Sequence, residues 1–397
     1  MKINIKVLLL LLSVYMPLVG HASAIIYEIA ILIMYYMLQD KGNLPRELKY
    51  FLVPIFIAAG VGFQRGYDLY SLFKDVYYVL IPVISIMLGR LIAIKWGMNI
   101  IMRVISKAAL IVSLIVILIN FFHFGLDVLI NPRPFRDNDP SFTSMPGFII
   151  IAILYKAYEY TLGNKQSRDS ILQILFLLFA VYQSGSRSFI LSVILSFGIL
   201  LYFLYKNRSI YFRKSMYIIA GVAAIFSIYS TQLSDNELIN ISAEELKTGD
   251  YSTPEEINTY YRGYEAFMAM NQIMKEPFFY KLFGCGLGAT VYIPNCPVGV
   301  DDLPMLHNGY PYILLKFGWF GAFMILLFFV HVFRTLTKRY SLSRENIIFF
   351  FFITTGCLII IMLQSTVNAL FNYEYIFPFV IVSASLTSLY KNHRINI

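Results

Sequence analysis

Stretches of mostly apolar residues, each about the length of a membrane-crossing helix, recur along the chain with short charged connectors between them. A helix needs roughly 20 such residues to cross a hydrocarbon core of about 30 Å. The pattern predicts twelve crossing helices, at approximately 6–20, 24–38, 50–65, 76–94, 105–123, 145–162, 169–183, 187–206, 214–230, 311–334, 346–365 and 373–390. The first, second and seventh are short for a full crossing. No internal repeat, low-complexity tract or soluble domain interrupts the series. Its one long break is 231–310, which is acidic and holds the run Gly284-Cys285-Gly286-Leu287-Gly288. Loops of that length are more often functional or disordered than idle.

Composition points the same way. Of 397 residues, 58% are hydrophobic and 14% charged, whereas a soluble domain carries about 25% charged residues. The predicted fold class is an all-α polytopic membrane protein, with helices in 1–230, a large outer loop in 231–310 and further helices in 311–397. A net charge of +9 would suggest nucleic acid in a soluble protein. In a membrane protein the question is which face holds the basic residues. Counted by face, with residues near the span ends included, twenty-two lysines and arginines fall on one side and nine on the other, while about 18 of the 23 acidic residues lie opposite the basic side. The basic side is predicted to be cytoplasmic and to hold both termini. No nucleic-acid partner is expected. Lys316 falls inside the tenth span and belongs to neither face. The start of the chain has a second reading, because Lys2, Lys6, an apolar run and Ala22-Ser23-Ala24 resemble a cleavable signal peptide. A retained helix is expected, since the next span follows at once; cleavage would leave the sidedness unchanged.

Chemistry is therefore sought on the outer side. Ser184-Gly185-Ser186-Arg187-Ser188 joins the seventh and eighth spans there. A serine or glycine cap followed by arginine at a helix start combines free backbone N–H groups, the positive end of the helix dipole and a guanidinium fork, which suits a phosphate or pyrophosphate. The plainer reading is an interfacial arginine capping a tight hairpin. Arg262 precedes Tyr264, Phe267, Met268 and Ile273, whose spacing predicts an amphipathic helix ending at Pro277. On it Arg262 either meets an anion or pairs with Glu265 in solvent. His307-Asn308-Gly309-Tyr310 stands where the loop returns to the membrane. A neutral imidazole accepts a proton from a hydroxyl, a role worth typically about 10²–10⁴ in rate, although a lone histidine is more often structural.

Other signals are weaker. A second outer loop holds Asn131-Pro132-Arg133-Pro134-Phe135-Arg136. Asp301-Asp302 lacks a histidine pair or third carboxylate at ligand spacing and reads as a solvated acidic turn. The glycine run does not follow a strand in a βαβ unit, so it reads as tight turning close to a glycan rather than a dinucleotide site. Tyr260, Tyr261, Tyr264 and Tyr292 offer faces for stacking on sugar rings. Cys285 and Cys296 are close enough in sequence for a disulfide, worth about 2–3 kcal/mol in the chain-entropy model; two lone thiols are the equal alternative. Cys357 is expected inside the eleventh span.

Together these residues resemble the bacterial O-antigen polymerase and O-antigen ligase family of polytopic glycosyltransferases. The likeness lies in the second half of the chain: Ser184-Gly185-Ser186-Arg187 opening an outer helix, Arg262 in a loop helix, Pro277, the glycine run, and His307-Asn308 followed by Gly318 and Gly321. It implies a GT-C-like enzyme working on undecaprenyl-diphosphate-linked oligosaccharide at the periplasmic face of the inner membrane. Arg187 and Arg262 would bind the donor diphosphate and stabilise its growing negative charge. His307 would take the proton from, or orient, the acceptor hydroxyl. Ser186, Asn308, Gly286, Gly288 and Arg136 are the expected substrate contacts. Displacement with inversion and no metal or other cofactor is implied, with membrane lipid and a chain-length regulator protein as further partners. The reading leans to polymerase, because the chain is rich in Ile, Phe, Tyr and Lys and Ala322 stands where ligases often have threonine. Ligation to the lipid A core is the alternative within the family. A transporter of the lipid-linked repeat is the alternative outside it, and the dissimilar halves of the chain count against that.

Overall fold

The computed structural model describes residues 45–95, 98–139, 141–143, 147–161, 168–206, 249, 251, 253, 256–257, 260–294, 302–338, 344–372 and 376–395. The expected spans at 6–20, 24–38 and 214–230 lie outside the described residues. After a 3-10 turn at Arg46–Leu48 come α1 (Lys49–Gln64), α2 (Leu69–Lys95), α3 (Met98–Phe124), the short α4 (Asp127–Ile130) and α5 (Arg133–Asn138), α6 (Phe148–Thr161), α7 (Arg168–Gln183) and α8 (Arg187–Lys206). The long loop contributes α9 (Tyr261–Lys275), α10 (Phe278–Phe283) and two short strands, β1 (Val291–Tyr292) and β2 (Asp302–Leu303). The chain continues with α11 (Gly309–Lys338), α12 (Arg344–Val367) and α13 (Ile376–Ile395).

Among the described residues, five helices are long and apolar enough to cross a membrane: Arg46–Gln64, Leu69–Leu91, Met102–Phe124, Gly309–Thr337 and Phe349–Val367. They coincide with the third, fourth, fifth, tenth and eleventh expected spans. Asp169–Gln183, Phe189–Tyr202 and Pro378–Tyr390 are apolar but shorter. The protein is thus a mostly helical membrane protein. Within the long loop, β1 and β2 pair antiparallel with Val291 opposite Leu303 and Tyr292 opposite Asp302.

Local chemistry explains where several helices begin and bend. α2 starts about two turns before its expected span, because the Asp68 carboxylate accepts the Ser71 N–H (2.9 Å) and hydroxyl (2.6 Å), satisfying donors that a helix start leaves open. That early start brings Asp75 inside the helix. α11 bends at Gly318, whose φ of 63° is left-handed. α6 is buried on nearly every side from Phe148 to Tyr155, as expected of a helix apolar all round; it packs against α3, α7 and α13. α2 packs closely on α13, where the Ser383 hydroxyl donates to the Ile86 carbonyl (2.7 Å) and a Cβ on Gly89 would meet the Val380 carbonyl oxygen at 2.3 Å.

Candidate active site

Connectivity gathers the outer candidates at one end of the bundle. α1 ends and α2 begins beside the glycine run, since Leu287 N–H donates to the Ala58 carbonyl (2.9 Å) and Gly288 N–H to Asp75 Oδ2 (2.6 Å). α2 runs away from this end and α3 returns to it, bringing α4 and α5 with it. These short helices dock on the turn between α7 and α8. Gln183 Nε2 donates to the Leu129 carbonyl (2.8 Å), the Tyr182 hydroxyl to the Ile130 carbonyl, and Arg136 Nη1 to the Gly185 carbonyl (2.9 Å).

That turn is held by its own serines and glycine. Gly185 has φ of 60°, the Ser184 hydroxyl donates to the Val181 carbonyl (2.6 Å), and Ser186 N–H donates back to Ser184 Oγ (3.1 Å). The buried Ser186 accepts the Ile190 N–H at its carbonyl (3.2 Å), the position of an N-cap. Arg187 is then the first residue of α8. Arg136, an expected substrate contact, is thus brought to the Arg187 turn and commits one N–H to holding it.

The glycine run sits in the packing between α1 and α11. Gly284, Gly286 and Gly288 all have φ between 85° and 89°. A Cβ on Gly284 would strike the Lys316 carbonyl oxygen at 2.4 Å, and one on Gly286 the Gly62 nitrogen at 2.4 Å. Gly286 and Gly288 were expected to contact substrate, but the structure places both inside the fold, where close backbone approach requires glycine. Cys285 N–H donates to the Leu315 carbonyl (2.7 Å). Cys285 is a buried free thiol, and burial pushes it up to about 11; Cys296 lies outside the described residues. Lys316, left on neither face by the sequence, is fully buried; it pairs with Asp75 and donates to the Ala289 carbonyl (2.5 Å). Oδ1 of Asp75 has no hydrogen-bond partner in the structure.

A second clamp holds α9 to α1. Arg65 Nη1 donates to Glu276 Oε1 (3.0 Å), Nη2 pairs with Oε2, and the guanidinium lies 3.8 Å from the centre of the Tyr280 ring. The Glu276 carboxylate raises the Arg65 guanidinium further above its ordinary range. α9 stops before Pro277, and its buried face comprises Gly263, Tyr264, Glu265, Ala266, Ala269 and Ile273. Tyr264 packs near Tyr251 (6.1 Å between ring centres) and is closed to a sugar, which corrects its assignment as a stacking surface. Tyr292 is exposed. Arg262 is half-buried in the first turn of α9.

His307 meets this helix. Glu265 is completely buried and faces the histidine, so the solvated pair of Arg262 and Glu265 weighed from sequence gives way to a different contact. Glu265 Oε1 accepts the His307 backbone N–H (2.9 Å), and Oε2 lies 3.4 Å from Nδ1 of a ring whose side chain is 48% exposed. The Tyr261 ring meets the imidazole edge-on at 5.7 Å. From the other side, Asn368 Nδ2 on the turn after α12 donates to the Leu306 carbonyl (3.2 Å), and Gln364 Nε2 donates to Asn368 Oδ1 (2.9 Å). A Cβ on Gly309 would lie 1.9 Å from Gln364 Nε2. Asn308 Oδ1 accepts the Tyr310 N–H (3.2 Å), so Asn308 turns the chain into α11.

Sequence reasoning missed Glu265, Gln364 and Asn368. The spacing of Tyr264, Phe267, Met268 and Ile273 gave no signal for Glu265, which read as a solvated partner of Arg262 and which the structure buries. The structure brings Arg262 and His307 to the same helix end and Arg136 to the Arg187 turn. No curated protein matches the chain. A family model described as O-antigen ligase matches residues 172–326. That stretch runs from α7 through α8, α9, the glycine run and His307 into α11, and over it the chain is similar to the O-antigen ligase family.

Proposed function

We propose that the protein is an inner-membrane glycosyltransferase that polymerises a surface polysaccharide, moving glycan from undecaprenyl diphosphate to a lipid-linked repeat unit on the periplasmic side. The observation that carries this reading is the His307 imidazole, half-open and backed by a buried carboxylate, beside the helix that bears Arg262. In the reaction the acceptor hydroxyl gives its proton to the imidazole and its oxygen attacks the anomeric carbon. The bond from that carbon to the phosphate oxygen breaks, and undecaprenyl diphosphate leaves with the electron pair. Attack opposite the leaving group inverts the anomeric configuration.

Negative charge grows on the diphosphate as this bond breaks. Arg187, at the start of α8, and Arg262 have the chemistry to receive it, because preorganised cationic donors stabilise charge that develops in the transition state. In this reading they take the place of a metal ion. Ser186 and Asn308 shape the two turns that present Arg187 and His307. Arg136 braces the first of these turns and contacts the donor from its side. A chain-length regulator protein is the proposed macromolecular partner.

The test is transfer from a synthetic lipid-linked repeat by purified protein. Arg187→Ala, Arg262→Ala and His307→Ala should each lose transfer while reaching the membrane in normal amount; undiminished transfer by all three would overturn the reading. Ligation to the lipid A core is the second reading, favoured by the description of the matching family model. Deleting the gene separates the two. Lipopolysaccharide capped with a single repeat identifies a polymerase, whereas polymer left on its lipid carrier identifies a ligase.

A further inference from the structure

The histidine turn is held on both sides, and the two sides do different things. Asn368 and Gln364 grip only backbone and each other. Glu265 grips the backbone N–H with one oxygen and presents the other to the imidazole. For a structural role the first contact is sufficient. The second oxygen is buried, has no hydrogen-bond partner, and faces Nδ1 across 3.4 Å. That distance is longer than a well-made N–H···O bond, and such contacts at catalytic groups commonly tighten when substrate binds. Leaving a buried carboxylate oxygen unpaired is unfavourable, so closure of this gap is downhill.

Which nitrogen of a histidine carries the proton is set by the hydrogen bond the other makes. An acceptor at Nδ1 fixes the hydrogen there and leaves Nε2, on the far side of the ring from Glu265, as the acceptor. The half-exposed ring turns that nitrogen away from the buried carboxylate. We propose that Glu265 is the positioning residue of this site, holding His307 in the tautomer and orientation in which Nε2 takes the proton of the acceptor hydroxyl. The proposal rests on the reading of His307 as proton acceptor.

Glu265→Gln is the discriminating variant. It keeps the size of the side chain and an oxygen for the His307 backbone N–H, but its amide nitrogen donates toward Nδ1 and favours the opposite tautomer. With synthetic lipid-linked repeat as substrate, kcat should fall by at least roughly 10-fold to 100-fold, the range for metal-binding histidines that lose the hydrogen-bond partner of the other ring nitrogen, with the donor KM unchanged. In a His307→Ala background the same change should cost nothing further, because residues that act through one another are not additive. An unchanged kcat, a loss confined to KM, or a further loss in the His307→Ala background would overturn the positioning role.

The tautomer can also be read without any change at Glu265. Nitrogen-15 spectra of histidine-labelled protein, with His307 assigned by difference against His307→Ala, should show a protonated Nδ1 and an acceptor Nε2; the reverse overturns the proposal even if Glu265→Gln does not accumulate. Wild-type transfer by His307→Ala removes the proton-acceptor reading and this inference with it. An inactive His307→Ala beside a fully active Glu265→Gln removes the positioning role alone.

Discussion

Asp75 and Glu265 are each set against a basic side chain, and each also accepts a backbone N–H. Asp75 pairs with Lys316 and takes the Gly288 N–H; Glu265 faces His307 and takes the His307 N–H. The difference is enclosure. Lys316 is sealed by Asp75, the Ala289 carbonyl and the Tyr312 ring, so it joins α2, the glycine run and α11. The His307 ring keeps about half of its surface open, so a substrate can reach it. Similar chemistry therefore does opposite work: a closed pair specifies the fold, and a half-closed pair is available for reaction.

The comparison can be broken at either pair. His307→Ala should lower transfer by about 10²–10⁴-fold, the usual worth of a general base, without changing the thermal melt of the purified protein. Lys316→Met should do the reverse, destabilising the fold by about 3–5 kcal/mol, since removing one partner strands a buried charge. It is read as lost folded protein and a lower melting temperature. Combining Lys316→Met with Asp75→Asn should recover most of that loss. A Lys316→Met protein that melts like the wild type but cannot transfer glycan would make the closed pair catalytic and dissolve the distinction.

A smaller effect is expected at the glycine run. Gly286→Ala drives a Cβ into the Gly62 backbone and should destabilise by about 1–3 kcal/mol, the range for overpacking. Cys285 reports the opening. Its thiol is buried and pushed up to about 11, so below that pH little of it is thiolate, the reactive form. In a Cys296→Ser background, wild-type Cys285 should resist maleimide at pH 8, and Gly286→Ala should label faster. The smallest change is at Glu276→Gln, which removes one charge of a partly exposed pair with Arg65. It should shift stability by about 1 kcal/mol or less, seen as a small drop in melting temperature that vanishes in high salt.

Much of this was readable from residues in order. Apolar length marked α1, α2, α3, α11 and α12, because crossing a bilayer demands a local run that no distant contact replaces. The helix over Arg262 and its stop before Pro277 were legible from spacing and proline geometry. The start of α2 was misjudged because Asp68 and Ser71 read as loop residues, whereas they cap the helix. The glycine run was legible as a tight turn but not as helix packing, since its neighbours Ala58, Gly62 and Lys316 come from elsewhere in the chain.

What the sequence determined by itself was the membrane class, the five described helices long and apolar enough to cross, and the turns that carry Arg187 and His307. These follow from periodicity, capping and composition over stretches of tens of residues. Only the tertiary structure decided the partners. Asp75 and Lys316 are 241 positions apart, Arg65 and Glu276 are 211, and Glu265 and His307 are 42. A carboxylate is polar wherever it stands in a sequence. Whether it is solvated, neutralised or aimed at a histidine depends on which chain segments exclude water around it, and that is fixed by packing.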